Sequence, residues 1–134
     1  MNDTSNVSAC VINLIKTKSA PLSEVNKDKC FTSNFLLCEF DPEMLDPWYL
    51  CYEFNEGKNF EQQISMHQQG TTLCVKKLNL KSIGELRINL IDIKKQKQIG
   101  EMYRKLIIQK ELMKKQIDNY NDFTLEIIRR IEED

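Results

Sequence analysis

Glycine is nearly missing from this sequence, and the four it has, Gly57, Gly70, Gly84 and Gly100, stand alone. Phosphate-binding loops gather glycines so that backbone amides can close on an anion, and isolated glycines form no such cradle. Histidine is reduced to one residue, His67. A single imidazole among scattered thiols does not make a recognisable tetrahedral zinc set, and it is expected as a solvated surface residue. Apolar residues never run unbroken for the ~18 positions that a membrane-spanning helix needs. The opening stretch MNDTSNVSAC lacks the basic start and apolar block of a signal peptide. The expectation is an intracellular protein of cytoplasm or nucleus with no membrane partner. On that expectation Asn2-Asp3-Thr4 and Asn6-Val7-Ser8 match the glycosylation pattern by chance.

What is present points to an ordinary globular chain. Hydrophobic residues make up 41% and charged residues 29% of 134 positions, a balance that allows one domain, or a smaller domain with an extended element attached. The cysteines, Cys10, Cys30, Cys38, Cys51 and Cys74, are odd in number, sit in apolar runs and never take metal-pair spacing. They are expected as buried free thiols. Glu39, Asp41, Glu43 and Asp46 gather around two Asp-Pro steps, where turn formation and solubility account for them. No nucleophile stands beside a base, so neither catalytic residues nor a cofactor or metal is expected, and the chain is read as no enzyme.

Along the chain, residues 1–8 read as a flexible tail. Cys10 to Thr17 is β-branched and apolar, and predicts a strand. Lys18 to Lys29 reads as a loop broken by Pro21. Cys30 to Phe40 is apolar on both sides and predicts a central strand. After the Asp-Pro steps, Trp48, Leu50, Tyr52 and Phe54 alternate and predict another strand. Trp48 is expected in the core, with a docking surface as the alternative. A hairpin turn is expected over 55–59, a strand over Phe60–His67, a turn over 68–72 and a further strand over Leu73–Leu80. Ser82 and Glu85 have capping-box spacing, so a short helical turn there competes with the adopted reading, a strand over Glu85–Ile91.

From about Lys95 the period turns helical. Ile99, Leu106, Met113, Tyr120 and Ile127 fall at heptad d positions, and Tyr103, Lys110, Ile117, Thr124 and Ile131 at a positions. Eight of these ten are apolar, and the repeat runs for about 35 residues, or ~50 Å of helix. Met102, Ile107, Phe123 and Ile128 at e or g widen the stripe, and Ile108, Leu112 and Leu125 lie farther out. Charge divides along the same segment. Residues 94–117 hold eight Lys or Arg against two Glu, and 118–134 hold six acids against two Arg, although the whole chain carries only −1.

These patterns predict an α+β protein: a small antiparallel β-rich head over 9–93, then a long C-terminal amphipathic, coiled-coil-like helix over 94–134. The expected role is a non-enzymatic assembly or scaffold subunit. It would associate, with itself or in a hetero-complex, through the seam Ile99, Tyr103, Leu106, Lys110, Met113, Ile117, Tyr120, Ile127 and Ile131, and recruit a protein partner through its head. The alternative is a nucleic-acid-associated protein whose candidate phosphate contacts are Lys94, Lys95, Lys97, Arg104, Lys105, Lys114 and Lys115 within the basic segment 94–115. The acidic second half of the helix disfavours a phosphate track, and the head shows no aromatic-interleaved basic strand.

Overall fold

The computed structural model describes residues 8–22, 34–68 and 80–134. The fold is α+β, and among the described residues it comprises a three-stranded antiparallel sheet, three short helices and a long C-terminal helix. The described chain divides into two compact units, Met1–Glu101 and Met102–Asp134.

In the first unit, β1 (Ser8–Asn13) lies between β2 (Lys18–Pro21) and β3 (Phe35–Phe40). Ile12 pairs with Ser19 on one side and Leu36 on the other, and Cys10 pairs with Cys38. β1 ends earlier than expected because the Asn13 carboxamide accepts the amides of Ile15 and Lys16, both at 3.0 Å, and turns the chain. Thr17 closes the turn in a left-handed conformation, with φ of 56°. The first four residues of the loop expected over Lys18–Lys29 form strand β2, and residues 23–29 of that expectation lie outside the described residues. The outer edge of β2 is met by Asn55, which accepts from the Ser19 amide at 2.7 Å and donates to the Ser19 carbonyl at 2.9 Å. One side chain thus imitates a neighbouring strand, and Pro21 suits an edge position because it has no amide to offer. β3, expected as central, is an edge of the sheet among the described residues, with Phe35, Leu37 and Glu39 exposed on one face.

The segment expected as the strand Trp48–Phe54 is instead helix α1 (Pro47–Glu56). Asp46 caps it, its carboxylate accepting from the Tyr49 amide at 3.0 Å, and Pro47 occupies the first turn, where a missing amide costs nothing. Trp48 is half-buried, whereas Tyr49, Cys51 and Phe54 are buried. The expected hairpin turn is a helix junction at Gly57. The Gly57 amide donates to Tyr52 and Glu53 carbonyls, and a Cβ there would stand 2.5 Å from the Glu53 carbonyl oxygen. The expected strand Phe60–His67 is helix α2 (Lys58–Gln68), whose Phe60 and Ile64 share one face at i, i+4 spacing.

Helix α3 (Leu80–Gly84) supplies the helical turn at Ser82, and Glu85–Ile91 is not a strand. Leu86 and Ile88 do alternate inward, packing with Ile83 against the core of Ile12, Leu14, Phe54, Phe60 and Ile64. Their backbone, however, is met by a side chain. Gln63 accepts from the Arg87 amide and donates to the Arg87 carbonyl, both at 2.8 Å. With that pair satisfied by an amide, no neighbouring strand is needed there. The Phe54 and Phe60 rings, 5.9 Å apart and tilted, close the core. The expected turn over 69–72 and the expected strand residues 30–33 and 73–79 lie outside the described residues, as do residues 1–7 of the expected tail.

The expected helix is α4 (Ile93–Glu133), 41 residues. No helix among the described residues is long and apolar enough to cross a membrane.

Candidate functional site

The root of α4 belongs to the first unit, and two residues fix it there. Gln96 is only 1% exposed and uses its whole carboxamide. Its oxygen accepts from the Asp46 amide at 2.9 Å, and its nitrogen donates to the carbonyls of Met44 at 3.1 Å and Ile91 at 2.8 Å. One turn on, Gly100 brings the helix backbone against the start of α1. A Cβ at that position would lie 3.0 Å from both Trp48 Cβ and the Tyr49 nitrogen, and would meet the Asp46 carboxylate. The Tyr49 hydroxyl donates to the Asn89 carbonyl at 3.0 Å, tying α1 to the strand-like segment before α4.

Past Glu101 the same helix forms the second unit, and most of its apolar residues face water. Twelve large hydrophobic side chains between Met102 and Ile131 are 40–73% exposed, among them Leu106, Met113, Ile117, Tyr120, Ile127 and Ile131 of the seam. Lys110 is exposed too, and with Met113 and Ile117 it lines a shallow depression along the helix. The nine seam residues are therefore not alike. Ile99 is half-buried and Tyr103 is 6% exposed, while the open stripe starts at Leu106. Of the flanking residues, Met102, Phe123 and Ile128 are exposed and Ile107 is half-buried.

Lys94, Lys95, Lys97, Arg104, Lys105, Lys114 and Lys115 are all exposed on α4. At about 100° per residue Lys94, Lys97, Arg104, Lys105 and Lys115 fall within one ~100° arc of the helix, and Lys95 and Lys114 lie outside it. A single phosphate track would engage only some of them. Downstream, Glu126 is within ion-pair distance of both Arg129 and Arg130, so the acidic half binds its own two arginines.

A cluster the sequence reading did not single out lies inside the head. Cys10 and Cys51, 41 positions apart, bring their sulfurs to 3.6 Å, and both are fully buried. Ser19 Oγ stands 3.5 Å from Cys51 Sγ, and Cys10 Sγ donates to the Pro47 carbonyl at 3.5 Å. The hydrogen bond to Cys51 and burial push the Cys10 thiol well above its ordinary value, and burial raises Cys38 as well. Protonated thiols such as Cys10 and Cys38 are poor nucleophiles, whereas the hydrogen bond with Cys10 lowers Cys51. Among the described residues no group of three or more His, Cys, Asp or Glu is arranged to hold a metal ion. Cys30, Cys74 and the His67 side chain lie outside the described residues. No local spacing announces this cluster, because only the packing of β1 against α1 brings it together.

No family model matches this chain, and no curated protein or solved structure shows significant similarity to it.

Proposed function

We propose that this protein is a non-enzymatic assembly subunit that associates through α4 beyond Glu101 and recruits a protein partner through its head. One observation carries the reading: the twelve exposed apolar side chains spread over Met102 to Ile131. Helices in water are held mainly by packing an amphipathic face, and propensity alone leaves them marginal. Soluble monomers seldom leave a contiguous apolar stripe uncovered, and such stripes mark interaction surfaces. The heptad spacing of Leu106, Met113, Ile117, Tyr120, Ile127 and Ile131 suits another helix as the cover. In the head, β3 supports partner recruitment. It offers a sheet edge among the described residues and exposes Phe35 and Leu37, features that an added strand can use.

The test replaces Leu106 and Ile117 together by Asp, which sets desolvated charge into the proposed contact. The expected result is a fall in the mass of the assembly and loss of its partners, with the denaturation midpoint of the head unchanged. An unaltered mass and an unaltered set of partners would sink the reading.

A further inference from the structure

We infer that the partner of α4 is a second copy of this chain, paired antiparallel over Leu106 to Ile131. This rests on the assembly reading above and adds the occupant and its direction. Because Tyr103 has little surface left and Ile99 is half-buried, the seam open to a partner begins at Leu106 and ends at Ile131. Its midpoint falls between Asp118 and Asn119. The side-chain charge changes sign at almost the same place. Residues 104–118 hold five basic residues and two acids, net +3, and residues 119–133, which the reversal lays along them, hold four acids and two Arg, net −2.

A second copy turned end for end about that midpoint lays the basic half of each helix along the acidic half of the other, twice over. The two halves are of opposite sign, so each basic half is largely offset by the acidic half of the other copy without a third component. A parallel copy in register would instead align basic half with basic half and acidic with acidic, which is repulsive on both. The reversal also keeps the seam in step. Leu106 comes opposite Ile131 of the second copy, Lys110 opposite Ile127, Met113 opposite Thr124 and Ile117 opposite Tyr120, so every a position meets a d position. Outside the seam Lys105 comes level with Glu132 and Glu133, while the two copies of Lys105 stand ~40 Å apart at 1.5 Å per residue.

The experiment uses the full chain as isotopically light and heavy preparations, mixed and allowed to exchange. Its mass is followed by light scattering through a dilution series. One portion is treated with a carbodiimide, which joins lysine amines to touching carboxylates, and another with an amine-to-amine reagent. The expected result is a dimer that dissociates on dilution. Isotope-mixed links should join Lys105 or Lys110 to Glu126, Glu132 or Glu133, and no mixed Lys105–Lys105 link should form. The Leu106→Asp, Ile117→Asp variant should dimerise at least about a hundredfold more weakly. Mixed Lys105–Lys105 links would overturn the antiparallel direction. A monomeric mass at every concentration would overturn self-pairing and leave the assembly reading with a different chain on the same face. A dimer that the double substitution leaves untouched would overturn both.

Discussion

Gln96 shows how much one amide can hold. Its carboxamide serves three backbone groups from two separate segments, at Asp46, Met44 and Ile91, in a site closed to water. Gln96→Leu keeps the bulk and removes the polar atoms, leaving those groups without their partner at about 1–3 kcal/mol each where no water replaces it. The expected loss is about 3 kcal/mol or more, read as a lower urea midpoint at unchanged slope. Gly100 poses the opposite question, since alanine is the better helix former by ~1 kcal/mol. Here the added Cβ would press on Trp48 Cβ and the Tyr49 nitrogen, neither of them the far end of a flexible side chain. Overpacking of that kind costs roughly 1–3 kcal/mol, so Gly100→Ala is expected to lower stability despite its propensity. Gly84 supplies the control, because a Cβ there meets nothing within 4 Å. Gly84→Ala should shift the same midpoint by no more than ~0.5 kcal/mol equivalent.

At the level of elements, α1 depends on its first two residues. Asp46→Ala removes the acceptor for the Tyr49 amide and should cost ~1 kcal/mol, while Asp46→Asn, which keeps an acceptor, should cost much less. Equal losses in the two variants would show that the cap contributes nothing. The Asp46-Pro47 pair also explains why α1 is a helix and not the strand its alternation predicts. Trp48, Leu50, Tyr52 and Phe54 alternate as a strand would, but an Asp followed by Pro is also a cap followed by a first-turn residue, and that signal decides the segment. Phe60 and Ile64 carried the helical spacing of α2 in the same way, masked by an alternation through Met66. β1, β3 and α4 were legible because apolar, β-branched or heptad patterns are local. β2 and the stretch after α3 were not. Their backbones are satisfied by Asn55 and Gln63, which come from elsewhere in the chain, and no window of sequence around Ser19 or Arg87 contains that information. The seam was legible as a repeat, but its division at Leu106 was not, since the heptad spacing does not distinguish Ile99 and Tyr103 from the exposed positions after them.

For the whole molecule, Lys110 is the residue on which the pairing turns. It is the one charge in the open seam, at an a position where the neighbouring layers are Leu106 and Met113. In a parallel pair the two ammonium groups would face each other. In the antiparallel pair each comes opposite Ile127 of the other copy, with Glu126 beside it and its own counterpart about 25 Å away along the axis. A lone charged a residue lowers stability and in return excludes registers that would bury it without relief. Under the proposed pairing, Lys110→Leu should raise the melting temperature, and the rise should be larger at high protein concentration because only the associated state gains. The same change removes the penalty on other registers, so light scattering should show species beyond the dimer where the original chain shows one. A lowered melting temperature with the dimer unchanged would mean that the ammonium has a specific partner in the assembled state, and Lys110 would then be a stabilising contact rather than the residue that sets direction.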